Sequence, residues 1–309
     1  MSKKILVVSS ANMDMVLNVE RVPDGGQTVI ESGNYEYIPG GKGANSALAF
    51  ARLGGDTTFL TKVGVDANGD ALLDLYNREG INSSFIKRDK DAPTGLATIF
   101  VEKSGQNRII VFAGANQKID SESVDSAFTH DYDALYMQFE INYDAIIYSA
   151  KKASEKGIPV FIDAGAIKRD FPFQKLPSVE IFSPNESEAF EITGIYPDTE
   201  ENCLEVSKKI ASLVKAKWTV IKLGGRGAYI FDGENGKVVP TFDTKVVDTT
   251  AAGDAFTAGL TLEYLRTNDI WRACDYANAT GTLTVSKKGA SSSIPSASEV
   301  EKFLEKVKG

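Results

Sequence analysis

LYMQFEINYDAIIYSAKKASEKGIPVFI, residues 135–162, reads as strand, helix, strand. Residues 135–139 and 159–162 are short apolar runs. Between them, residues 143–156 read as a helix. Two strands joined by a crossover helix lie parallel. The alternation continues downstream with a strand at 179–183, a short helix at 186–192, a longer helix at 200–215 and a strand at 219–223. Upstream, the strand 3–9 precedes a helix opened by GGKGAN (40–45) and stopped at Gly54-Gly55, then a strand at 57–63 and a helix at 71–79. Residues 227–239 read as a hairpin around Asp232-Gly233-Glu234-Asn235-Gly236, and helices start at Gly253 and Asp269. Ser298 and Glu301 carry the spacing of a capping box before an apolar face of Val300, Phe303, Leu304 and Val307. This pattern predicts an α/β fold over 1–309, one domain with a central, mostly parallel sheet covered by helices on both faces.

Two segments, about 15–39 and 94–112, break the alternation and read as β structure, the second a hairpin around Lys103-Ser104-Gly105-Gln106. They predict a small β-sheet lid. Val29, Tyr35 and Tyr37 in the first segment, and Ile99, Val101, Ile109 and Val111 in the second, leave apolar surface and strand edges to be covered. A homodimer through lid–lid contact is the expectation.

Of the 309 residues 42% are hydrophobic and 25% charged, ordinary for a soluble globular chain. The net charge of -8, without a Lys/Arg block, argues against nucleic acid or an anionic membrane as partner. No apolar run approaches a membrane span, and the run at 5–8 is too short for a signal-peptide core. Two cysteines, Cys203 and Cys274, make no disulfide framework and point to a reducing cytoplasm. The one histidine, His130, lies in a polar stretch and reads as a surface residue.

Chemistry-bearing residues cluster after the strands, where open α/β sheets place ligands. Neither G-x-G-x-x-G nor GxxxxGK[ST] occurs, so the dinucleotide fingerprint and the P-loop are both missing. DTTAAGDAF (248–256) instead runs small residues into a helix start, whose free N–H groups suit a phosphate. Asp254 in that turn is either a helix N-cap or a general base. Asn12 and Asp14 follow the first strand, as an Asx turn or as partners for vicinal hydroxyls. Glu140 ends the strand at 135–139 in an equivalent rim position. GGKGAN is a close-packing turn or a set of groups presented to a polyhydroxy ligand. Asn185 and Glu188 are a helix cap or a pair ordering a water-coordinated magnesium. LGGRG (223–227) suits a cover for a flat nucleotide.

Together SANMD (10–14), GGKGAN, FAGAN (112–116), MQFE (137–140), SPNESE (183–188), LGGRG, DTTAAGD and KKGASSSIP (287–295) resemble the ribokinase-like (PfkB) carbohydrate kinase family nearly end to end, with FAGAN and AAGD favouring its ribokinase branch. The resemblance implies ATP-dependent transfer to the primary hydroxyl of a furanose, giving ribose 5-phosphate. It assigns Asn12, Asp14, Gly40, Gly41, Lys42, Asn45 and Glu140 to the sugar, Asp254 to the base, and the amides of Ala251, Ala252 and Gly253 to an anion hole. Asn185, Lys222, Gly224, Gly225, Gly227 and Asn278 fall to the nucleotide, and Asn185 with Glu188 to Mg2+ and phosphates. A K+ site falls on Asp248, Thr250, Thr284, Lys287, Gly289 and Ser293. Another acceptor, such as a nucleoside or fructose, or a non-catalytic sugar-binding regulator, are the competing expectations. Three positions depart from the family pattern. Ala251 stands where Gly is often written, Asp163-Ala164-Gly165-Ala166 replaces an Asn-Pro-Ala-Pro run, and Asn278 replaces a histidine at the adenine site.

Overall fold

The computed structural model describes residues 2–31, 33–104 and 106–308, so Ser32 of the first lid segment, Gly105 of the hairpin turn and both terminal residues lie outside the described residues. Lys4–Val8 (β1) leads to Asn12–Val19 (β2) and Tyr35–Gly40 (β3), then Lys42–Arg52 (α1), Asp56–Gly64 (β4), Ala67–Arg78 (α2) and Ile86–Asp89 (β5). Gly95–Glu102 (β6) and Asn107–Phe112 (β7) precede Ser121–Ala127 (α3), Ala134–Met137 (β8), Tyr143–Glu155 (α4) and Val160–Asp163 (β9). Next come Val179–Ser183 (β10), Glu186–Thr193 (α5), Glu200–Leu213 (α6), Ala216–Lys222 (β11), Ala228–Phe231 (β12) and Gly236–Val239 (β13). Ala252–Thr267 (α7), Ile270–Val285 (α8) and Ala297–Lys308 (α9) close the chain.

The large sheet runs β13-β12-β11-β10-β9-β8-β1-β4-β5, parallel from β11 to β5, with β12 and β13 antiparallel at one edge. Strand β1 shows why it is covered twice. Ile5 and Val7 pack with α1, α7 and α8, while Leu6 and Val8 pack with α3 and α4 on the other face. Side chains alternate across a strand, so an unbroken apolar run is what two buried faces require.

The lid is a second sheet, ordered β3-β2-β6-β7. Its strand β2 continues almost directly from β1, so the lid is rooted in the body at Ser9–Ala11. Asn12 and Asp14 therefore lie on a strand rather than in an Asx turn, with Asp14 opposite Ile38 and Ala97. Three further details differ from the sequence expectation. Strand β5 and helix α3 were not anticipated, because four and seven residues carry too little periodicity. Helix α2 starts at Ala67, capped by Asp66, whose side chain accepts from the Gly69 N–H at 2.8 Å. The last capping box closes on Ser296 and Glu299 instead of Ser298 and Glu301. Each of the two backbone N–H groups meets the other residue's side chain, at 2.7 and 3.3 Å.

Candidate active site

The residues singled out after a strand follow the C-terminal ends of β1, β8, β10 and β11 of the large sheet. Gly41, at φ 89, turns β3 into α1. A Cβ there would sit 2.8 Å from the Asn12 nitrogen, and one on Gly40 would overlap the Asp14 carboxylate. GGKGAN is thus glycine-rich because lid and helix approach each other there. The free N–H groups of α1 find partners: Lys42 N–H donates to Glu140 Oε2 at 3.0 Å and Ala44 N–H to the Ser10 carbonyl at 2.9 Å. Glu140 Oε2 also accepts from Ser10 Oγ at 2.6 Å. One oxygen of Glu140 therefore caps α1.

Asp254 is not an N-cap. Ala251 holds that position, in the left-handed region at φ 61, and makes no side-chain cap. For a residue with a Cβ this conformation costs about 1–2 kcal/mol, which explains why glycine is common at the position in the family pattern. Asp254 lies in the first turn of α7 and points inward, accepting from Asn45 Nδ2 and Gln138 Nε2, both at 3.0 Å. Ser9 Oγ in turn donates to Gln138 Oε1 at 3.1 Å. Burial pushes the Asp254 carboxyl up to about 7, against the opposing pull of Lys42 and with the help of Asp163. Asp14 is raised to about 6 by burial and by Glu140, with Lys42 again opposing. The Lys42 ammonium is itself held well above its usual range by Asp254. Asn45 Oδ1 is buried without a partner.

On the far side of Gly253 opens a cleft of about 610 Å³. Asn185, Lys222, Gly224, Gly225, Gly227, Ala252, Gly253 and Asn278 all line it, joined by Thr241, Phe242 and Val246, which sequence reasoning did not select. Asn278 Nδ2 donates to the Val239 and Pro240 carbonyls at 3.2 and 3.1 Å, so this amide also fastens the cleft wall. Asn185 and Glu188 form a complete capping box at the start of α5, each backbone N–H meeting the other side chain at 2.8 Å. Glu188 is raised by burial, opposed by Lys222. Beside α7, Asp248 accepts from Thr250 N–H at 2.9 Å through one oxygen and from Gly289 N–H at 3.0 Å through the other. The two short segments assigned to a cation are thus tied together. Thr284 and Ser293 are turned locally, the Thr284 carbonyl receiving Lys287 N–H at 3.3 Å and Ser293 Oγ donating to the Ala290 carbonyl at 2.8 Å.

Further participants went unselected. Gln138 and Asn116 were inside quoted motifs, and Asn116 Nδ2 donates to Asn12 Oδ1 at 2.7 Å. Asp163 stands out in the sequence only as the start of the run that departs from the family's Asn-Pro-Ala-Pro, and Thr257 carries no signal beyond its helix position.

The profile of the pfkB family carbohydrate kinases matches residues 2–297. A bifunctional ribokinase/ribose-5-phosphate isomerase A from Fructilactobacillus sanfranciscensis is 38% identical over 95% of the chain, which spans about half, 54%, of that relative. A ribokinase from Staphylococcus aureus is 33% identical over 97% of the chain and 99% of its own length. The structure of Arabidopsis thaliana ribokinase complexed with ribose and ATP superposes with a TM-score of 0.91 at 31% identity, covering 99% of both chains. A match that runs through both halves of the site, from the lid root to α8, leaves one conclusion: the chain belongs to the pfkB family of carbohydrate kinases.

Proposed function

We propose that the protein is an ATP-dependent kinase that transfers the γ-phosphoryl group to the 5-hydroxyl of D-ribose, giving D-ribose 5-phosphate and ADP. Asp254 carries this reading. It is a buried carboxylate raised to about 7, with hydroxyl-binding groups on one side and the cleft ending at Gly253 on the other. Asn12, Asp14, Gly40, Gly41, Lys42, Asn45 and Glu140 hold the sugar, the orphan Asn45 Oδ1 accepting from one of its hydroxyls. As the sugar O5–P bond forms and the bond from phosphorus to the ADP oxygen breaks, Asp254 takes the hydroxyl proton. Such a base contributes about 10²–10⁴ in rate. The Ala251–Gly253 turn presents amides to charge on the migrating group, where one preorganised donor is worth on the order of 3 kcal/mol. Asn185, Lys222, Gly224, Gly225, Gly227 and Asn278 bind ATP. The ribokinase names of the relatives support ribose as acceptor.

The donor set fits two cations. Asn185 and Glu188 offer hard oxygens, and the charge of a divalent ion would offset the desolvation that raises Glu188. Magnesium there would neutralise phosphate oxygens. Asp248, Thr250, Thr284, Lys287, Gly289 and Ser293 would hold potassium largely through their backbone carbonyls, its role being to brace the DTTAAGD turn. The kinase unit spans the chain, pairs through its lid into a homodimer, and works in the cytoplasm, where two buried free cysteines stay reduced. Coupled ADP release with ribose, deoxyribose, fructose and nucleosides, in potassium and in sodium, tests the reading. Ribose should lead and potassium should activate. A nucleoside ahead of ribose in kcat/KM sinks the acceptor assignment, and equal rates in both salts remove the monovalent ion.

A further inference from the structure

Asp163, the last residue of β9, is 2% exposed and belongs to none of the groups assigned above. Its Oδ1 accepts from the Gly165 N–H at 2.8 Å. Its Oδ2 accepts from Lys222 Nζ at 2.5 Å and from Thr257 Oγ1 at 2.6 Å. Lys222 ends β11, and its side chain is 10% exposed. Its Nζ lies 3.8 Å from the point a Cβ would occupy on Gly253. Thr257 sits one turn beyond Gly253, its hydroxyl 3.0 Å from the Gly253 carbonyl. One carboxylate thus joins the end of a strand to the first turn of α7, where the cleft meets the base.

A lysine stem is flexible, and its charge is useful to a reaction only where something fixes it. Stability alone is a poor reason for the pair, since buried ion pairs stabilise weakly. Asp163 also works against the neighbouring carboxylate, raising Asp254. We propose that Asp163 is a positioning residue for phosphoryl transfer: it holds the Lys222 ammonium against the Gly253 turn, so that a preorganised positive charge meets the migrating phosphoryl group. Charge placed in advance is where most catalysis of this step originates. The inference rests on the kinase reading above.

The test compares wild type, Asp163→Asn, Lys222→Met and the double variant by steady-state kinetics with ribose and magnesium ATP. A wild type that does not phosphorylate ribose overturns the kinase reading and the inference with it. With an active wild type, each single variant should lose at least about ten-fold in kcat with the ribose KM within about three-fold, an assignment to the transition state rather than to sugar binding. The double variant should be no slower than Lys222→Met, because Asp163 acts through the lysine. It also carries no unpaired buried charge, so it folds even if Asp163→Asn does not. Asp254 is faced by Lys42, Asp163, Glu140, Asn45 and Gln138. Removing one negative neighbour should move the acid limb of kcat/KM to lower pH. Losses that multiply in the double variant, or single variants that melt earlier but keep kcat and an unshifted acid limb, overturn the inference.

Discussion

As the proposed base, Asp254 would serve two opposed demands: ionised, it accepts a proton; buried, it resists ionisation. The neighbours settle the balance, with Asn45 and Gln138 donating to the carboxylate and Asp163 and Glu140 repelling it. Asp254→Asn keeps the shape and should lower kcat by roughly 10² or more, as loss of a general base does. Asn45 can turn its amide so that the orphan Oδ1 accepts from the new Asn Nδ2, and the variant should fold. The sign of the stability effect follows from the raised values. Asp14 at about 6 and Asp254 at about 7 stand above their unfolded value of 3.8, so their contribution is full below 3.8 and lost as pH rises through 6 to 7. Asp120 and Glu299, held down at about 2, act in the opposite sense, but only at acid pH. The unliganded protein should therefore melt lower at pH 8 than at pH 6, and Asp254→Asn should flatten that slope. Thermal denaturation across the range checks it, and a slope unchanged in the variant would remove Asp254 as its source. None of this was legible in the motif alone. DTTAAGD located the residue, whereas its partners come from α1 and from the residue just after β8, distant in sequence.

The lid is the element whose surface is least at rest. Tyr35 and Tyr37, stacked edge to face at 6.0 Å, are 63% and 53% exposed, and Ile109, Ile110, Val111 and Phe112 on β7 are all above 50%. Strands β3 and β7 are the lid's open edges. Such edges are ordinarily paired or covered. Sedimentation at micromolar concentration should give a dimer, and Ile110→Asp with Phe112→Asp should shift it to monomer; a wild-type monomer would count decisively against lid pairing. The alternating apolar residues made the lid readable. The exact strand starts were not, since Asn12 and Asp14 have low strand propensity and enter β2 through pairing with Gly40, Ile38 and Ala97.

At the scale of the molecule, the strand–helix alternation carried the sheet, because a parallel strand buried on both faces has a sequence signature that a four-residue edge strand lacks. Strand order is another matter: β1 pairs with both β4 and β8, and no local signal encodes a partner that far along the chain. The site inherits the same long reach. Asn45 meets Asp254 across 209 residues, and Ser10 meets Glu140 across 130. Contacts of such separation form late in folding, after the loop-closure entropy has been overcome. A sugar that needs both halves has nothing to grip in a partly folded chain. Ribose should then lengthen the lifetime of the native state, lowering the unfolding rate in denaturant, while leaving the refolding rate where it was. Stopped-flow refolding that accelerates with ribose would mean that the two ends of the chain meet much earlier than their separation implies.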